Sequence, residues 1–346
     1  MTASFITGLA GVSLGLDERA FLRDAGPWGL ILFKRNIERP EQVRALVSDF
    51  RDAVGRDDAP VLVDQEGGRV QRLRPPHWPE YPPAAAYGLI YDRHRDDGLA
   101  AARLGTRLIA ADLADLGITV DCLPVADVPA AGADPVIGDR AYGLTPDKVA
   151  DLAGAAAEGL MQGGVLPVLK HLPGHGRATA DSHERLPVVD TDSDTLDRTD
   201  FAAFRPLKHL PLGMTAHVVY SGIDPVEPAT TSQTMIGDVI RRRIGFAGAL
   251  MSDDISMGAL SGTIAERTRA SLAAGCDLVL HCNGRFDEML AVADATPRLA
   301  GEAAHRAEAA LAARSPAASI DLVAARRTFA RMMQGSTGAD VRMAAT

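Results

Sequence analysis

Cysteine is scarce, with three in 346 residues (Cys122, Cys276 and Cys282). Their spacing matches neither a disulfide framework nor a metal-binding pair, so the chain reads as a reduced one with its cysteines, like most of its methionines, filling the core. Long apolar runs are missing as well: no stretch approaches the roughly 18 apolar residues that cross a bilayer. Residues 1–11 have no basic start and no extended apolar run, so no secretory leader is expected. Basic blocks are absent, and 36 Lys+Arg against 45 Asp+Glu leave a formal charge of −9, a poor surface for nucleic acid or an anionic membrane. There is no low-complexity tract and no heptad run. What is left is the composition of a cytoplasmic globular enzyme, 47% hydrophobic and 23% charged, with a monomer as the default assembly.

Short apolar runs alternate with longer amphipathic ones. The runs at 5–8, 29–33, 60–63, 119–123, 166–169, 212–216, 249–252 and 277–281 are four or five residues long, as parallel strands covered on both faces should be. Between them, 40–54, 99–116, 147–162, 264–274, 298–313 and 321–333 read as helices. Pro40 opens the first of these, and Gly117, Gly163 and Gly275 stop three others. Eight strands interleaved with helices predict an α/β fold, a single (β/α)8 TIM-type barrel over residues 1–334 with a frayed tail at 335–346. An open doubly wound sheet with an extra domain would produce a similar alternation. A barrel places chemistry where its strands end. The unusual polar residues lie there: Asp64 after the third strand, Lys170 and His171 after the fifth, His217 after the sixth, Asp253 and Asp254 after the seventh.

The densest stretch is Lys170-His171-Leu172-Pro173-Gly174-His175-Gly176, followed by Asp181-Ser182-His183. An Asp-x-His spacing lets the carboxylate hold one ring nitrogen and leaves the other free to move a proton. His171, His175, His183 and Asp181 could alternatively bind a metal. However, the glycines and Pro173 keep His171 and His175 off a common helical face, and neither metal nor cofactor is expected. In Asp64-Gln65-Glu66-Gly67-Gly68-Arg69-Val70-Gln71-Arg72, the carboxylate and guanidinium at the two ends can grip sugar hydroxyls, or can be a rim ion pair. Gly138-Asp139-Arg140-Ala141-Tyr142-Gly143 is a turn-rich loop after the fourth strand. In Ser252-Asp253-Asp254-Ile255-Ser256-Met257, strand alternation turns Ala249, Met251 and Asp253 toward the barrel axis and leaves Asp254 to cap the next segment. The other acids and the Arg241-Arg242-Arg243 run read as solvated surface.

Taken together, these motifs resemble glycoside hydrolase family three, in particular its single-domain bacterial β-N-acetylhexosaminidase branch. The resemblance runs from about residue 29 to 283, with Leu172 where Phe is commoner and Ile255 where Leu is commoner. It implies Asp253 as nucleophile, His183 polarised by Asp181 as general acid/base, and Asp64, Arg72, Arg140, Lys170 and His171 around an N-acetylglucosamine ring. His175 is expected to shape the loop. The implied reaction is retaining, exo-acting release of terminal β-linked N-acetylglucosamine, with cytoplasmic muropeptides of peptidoglycan recycling as substrate. Other readings stay open: a metal-dependent amidohydrolase on the same barrel, a sugar-binding module without catalysis, and a phosphorylase.

Overall fold

The apolar runs pair into eight parallel strands, β1 (Ala3–Thr7), β2 (Pro27–Leu32), β3 (Val61–Val63), β4 (Val120–Asp121), β5 (Leu166–Leu172), β6 (Leu212–Thr215), β7 (Ala249–Asp254) and β8 (Leu278–His281). They close in sequence order, with β8 against β1 in the register Phe5↔Val279, Ile6↔Leu280, Thr7↔His281. This computed structural model describes residues 2–334; the tail expected to be frayed lies outside the described residues.

Alternation along the strands sorts the core into two shells. Ile6, Ile31, Leu62, Val120, Val168, Met214, Met251 and Leu280 pack on one another inside the barrel. Phe5, Leu30, Val61, Leu169, Leu250 and Val279 face the helices. The N-terminal mouth is closed. Trp28, Ala307 and Ala310, the last two on the helix Gly301–Ala312, belong to the inner shell. Asp277, one residue before β8, holds that end together by accepting from Arg241, Arg306 and the Leu250 amide.

Helices Pro40–Val54 and Ile264–Ala274 begin and end as the sequence predicts. Pro40 sits at the start of one, a Thr263–Glu266 capping box opens the other, and Gly55 and Gly275 end them with positive φ. Leu16–Ala25, Ala84–Arg93 and Phe286–Ala295 are helices that the pattern does not announce. The first buries only Phe21 and Leu22 fully and the last only Met289 and Val292, too few to make a periodic stripe. β5 outruns its apolar stretch by three residues. The segment after β4 lies beside it, with Lys170 N–H donating to Pro124 O and Ala126 N–H to Lys170 O, so the ladder continues through Lys170 and His171. The arginine run is only partly the expected surface. Arg242 is exposed, but Arg241 is largely buried and donates to Phe246 O, Gly248 O and Asp277. No helix among the described residues is long and apolar enough to cross a membrane.

Candidate active site

At the C-terminal end of the barrel lies a cleft of about 330 Å³, and all eight residues singled out for sugar binding and catalysis line it. Asp64 leaves β3 into a tight hairpin, Gln65–Gly67 with Val70–Gln71. Gly67 and Gly68 adopt φ of 95° and 57°, and a Cβ on Gly67 would lie 2.2 Å from Pro82 O, so the turn admits only glycine. The Gln65 side chain closes the hairpin by accepting from the Arg72 and Leu73 amides, which returns Arg72 toward Asp64.

The floor of the cleft is a chain of alternating charges. Arg72 donates to Asp64 (2.8 Å), Lys170 reaches both Asp64 (3.1 Å) and Glu66 (2.6 Å), and Arg140 clasps Glu66 with two bonds of 2.8 Å. Lys170 and Glu66 are buried. Burial alone would raise both carboxyls, but Lys170 and Arg72 hold Asp64 well below the ordinary range, and Arg140 and Lys170 hold Glu66 at about 2. Beneath them Asp121 accepts from the Gln65 amide through one oxygen, and its other oxygen has no partner among the described residues. Burial, reinforced by the charges on Asp64 and Glu66, pushes that carboxyl up to about 8.

A second carboxylate, Asp127, arranges the histidines of the β5 loop. It is fully buried, receives the His171 Nδ1 at 2.6 Å and accepts from the amides of His175 (2.6 Å) and His171 (3.3 Å). With Nδ1 protonated toward Asp127, Nε2 of His171 is the atom offered to a ligand. Burial would raise Asp127, yet the charge and hydrogen bond of His171 bring it to about 2.

β7 carries Asp253 and Asp254 to opposite tasks. Asp254 is spent on structure, accepting from the Ser256 amide and hydroxyl and from the Cys282 amide. Asp253 lines the cleft, with the Asp254 amide on its Oδ1 at 2.8 Å. Burial works to raise it, and the His217 and His171 rings, the Asp254 amide and His183 outweigh that, so it sits below its ordinary value. His217 is fixed behind it, with Nε2–H donating to Asp254 O and Nδ1 2.7 Å from the Thr230 hydroxyl.

The loop after β5 brings Asp181 and His183 to the same cleft. Oδ1 of Asp181 lies 2.7 Å from His183 Nδ1 and accepts from the His183 amide. With Nδ1 turned to Asp181, Nε2 of His183 is the ring nitrogen left free, on a side chain 67% exposed.

Two members of this site escape sequence reasoning. Glu66 is quoted in a motif without a role, because its meaning comes from Arg140, 74 residues away. Asp127, expected with the solvated acids, is buried; it lies beyond the end of β4, and the same strand-end rule applied a few residues further on would have found it. Among the described residues no group of three or more His, Cys, Asp or Glu is placed to hold a metal ion. Each histidine of the metal reading has one ring nitrogen engaged, His171 with Asp127, His175 with Ser182 and His183 with Asp181.

Comparison with known proteins gives a consistent picture. The family model for the glycosyl hydrolase family 3 N-terminal domain matches residues 10–310. A beta-hexosaminidase of Alkalilimnicola ehrlichii is 41% identical over 280 residues, covering 80% of this chain and 79% of that protein. A beta-hexosaminidase of Methylococcus capsulatus is 42% identical over 279 residues, covering 80% and 81%. The crystal structure of NagZ from Neisseria gonorrhoeae in complex with N-trifluoroacetyl-D-glucosamine superposes with a TM-score of 0.83 at 32% identity, covering 100% of this chain and 98% of that one. With barrel, cleft and motifs in agreement, the chain belongs to glycosyl hydrolase family 3, among its hydrolases of the β-hexosaminidase kind.

Proposed function

We propose that this enzyme releases terminal β-linked N-acetylglucosamine with retention, through a covalent intermediate on Asp253. The observation that carries this reading is the meeting, in one cleft, of a strand-borne carboxylate and an Asp-held imidazole whose outer nitrogen is free. An Asp253 oxygen bonds to the anomeric carbon as the bond to the leaving oxygen breaks, and His183 gives that oxygen its Nε2 proton. In the second half, neutral His183 takes a proton from water, the new C1–O bond forms, and Asp253 leaves as a carboxylate. Retaining enzymes more commonly pair two carboxylates about 5 Å apart. A histidine, with an ordinary pKa near 6.5, can play both acid and base near neutral pH.

Asp64, Arg72, Arg140, Lys170 and His171 hold the sugar. Asp64 and Glu66 accept from hydroxyls, Lys170 and the arginines donate, and every one of these groups is fixed by another before substrate arrives. Because pre-ordered donors lose little freedom on binding, such a floor discriminates among hydroxyl patterns. The N-trifluoroacetyl-D-glucosamine of the Neisseria complex supports a hexosamine in this place. We extend the substrate to cytoplasmic muropeptides, in which N-acetylglucosamine is β-linked to a peptide-bearing sugar, and the acting unit to a monomer over residues 1–334.

The test is to trap the intermediate with a fluorinated N-acetylglucosaminide and map the labelled peptide by mass spectrometry. Label on Asp253 is expected; label elsewhere, or none during turnover, refutes the mechanism. Release of N-acetylglucosamine from a muropeptide, at a rate independent of inorganic phosphate, completes the reading. Acceleration by phosphate would make the enzyme a phosphorylase.

A further inference from the structure

Between the half-buried Asp181 and the exposed His183 the chain turns inward. Ser182 is 3% exposed, and its Oγ lies 3.1 Å from Nε2 of His175. Among the described residues this is the one side-chain hydrogen bond from the turn 180–184 to the body of the barrel. Backbone bonds reinforce it from the β7 side: the Ala259 amide donates to Ser182 O (3.2 Å) and the Gly258 amide to His183 O (3.1 Å). Space there is so tight that a Cβ on Gly258 would fall 2.7 Å from Glu184 O and 2.9 Å from His183 O.

His175 is a rigid anchor for such a contact. It is 4% exposed, its amide is held by Asp127 at 2.6 Å, and its ring packs edge-on against His171 with centroids 5.7 Å apart. Asp127 therefore fixes both the histidine offered to the sugar and the histidine that meets Ser182. Burial, with the neighbouring His171 adding to it, pushes the His175 ring down to about 4, so it is neutral near pH 7. A neutral imidazole can pair with a hydroxyl and adds no positive charge beside His183.

We propose that Ser182 is a positioning residue for the acid/base dyad: with His175 it forms a latch that holds the turn 181–183 against the barrel and aims His183 into the cleft. The proposal rests on the reading of His183 as proton donor. Its distinguishing mark is leaving-group dependence. An acid displaced by a fraction of an ångström matters when the departing oxygen needs its proton and matters little when it does not.

The experiment compares kcat/KM for phenyl and 2,4-dinitrophenyl β-N-acetylglucosaminides in wild type, Ser182→Ala, Ser182→Thr and His183→Ala. Ser182→Ala should lose about 10- to 100-fold on the phenyl glycoside and less than about threefold on the dinitrophenyl one. Its thermal midpoint should move by no more than about 3 °C, the worth of one neutral hydrogen bond. Ser182→Thr, which keeps the hydroxyl, should restore the phenyl glycoside. Equal loss on both substrates, no loss on either, or failure of the threonine to restore activity would overturn the latch. If His183→Ala shows the leaving-group split and Ser182→Ala does not, the latch alone is wrong. If His183→Ala itself loses equally on both, the acid assignment falls and the latch with it.

Discussion

Replacing Lys170 by methionine removes one ammonium from the middle of the charged floor and keeps most of the side-chain volume. Lys170 stands 3.1 Å from Asp64 and 2.6 Å from Glu66, and is itself buried. Without it two nearly dry carboxylates face each other with one arginine apiece. Breaking a buried ion pair from one side costs about 3–5 kcal/mol. At roughly 2 °C per kcal/mol for a domain of this size, the thermal midpoint at pH 7 should fall by about 6–10 °C. The acid limb should shift as well. Glu66 has a folded value of about 2 against an ordinary 4.5, so its contribution is complete above pH 4.5 and is lost as pH falls through 2. That contribution is worth about 3 kcal/mol at 1.36 kcal/mol per pH unit. Asp64, also held low, acts in the same direction. In Lys170→Met both carboxyls rise, and the loss of stability should begin at a higher pH. Scanning calorimetry of both proteins from pH 3 to 8 measures this, and KM should rise alongside as the floor loses a donor. A variant that melts within about 1 °C of wild type at pH 7, with an unchanged acid limb, would refute the picture of a charge-balanced floor.

Asp121→Asn tests the buried acid beneath that floor. Its folded value of about 8 lies above 3.8, so the stability it confers is complete below 3.8 and is lost as pH rises through 8. The asparagine variant should therefore gain on wild type as pH rises from 4 to 8, by at most about 6 kcal/mol in melting experiments, and a relative loss over that range would contradict it. Asp127→Asn keeps the shape but sets an amide against His171 Nδ1. A wrong tautomer can cost a catalytic histidine up to about 10⁴, and here kcat/KM should fall by about 10² or more; full activity would mean that His171 needs no such anchor. Gly258→Ala pushes a methyl toward the His183 and Glu184 carbonyls and should cost about 1–3 kcal/mol of stability. It should slow phenyl glycosides more than dinitrophenyl ones, and an even loss would separate this glycine from the acid loop.

The barrel and most of the cleft were legible because a polar residue at the end of a short apolar run is conspicuous. Asp64 and Asp253 stand out in this way, and alternation alone separated Asp253 from Asp254. Where neighbours in space are far apart in sequence, the signal vanishes. Glu66 gains its place from Arg140, and Asp127 gains its place from two histidines more than forty positions on. Asp121 sits inside what reads as a plain apolar strand and shows its character only once β3 and β5 flank it. The roles of nucleophile and acid came from the family resemblance, since spacing can say that a carboxylate faces inward but not which atom it attacks. The helix Leu16–Ala25 was invisible for a simpler reason, that a helix lying across a surface needs only two fully buried side chains.

Trp28 and the helix Gly301–Ala312 seal the far end of the barrel. A well with one mouth imposes an order of traffic: whatever goes in last must come out first. A sugar seated on the floor blocks its own exit until the group above it has gone, and water can reach the anomeric carbon only along the path that group vacates. The turn bearing His183 stands beside that path. Product release and water entry thus share a single doorway, and the residue beside it is the one to which we assign the proton.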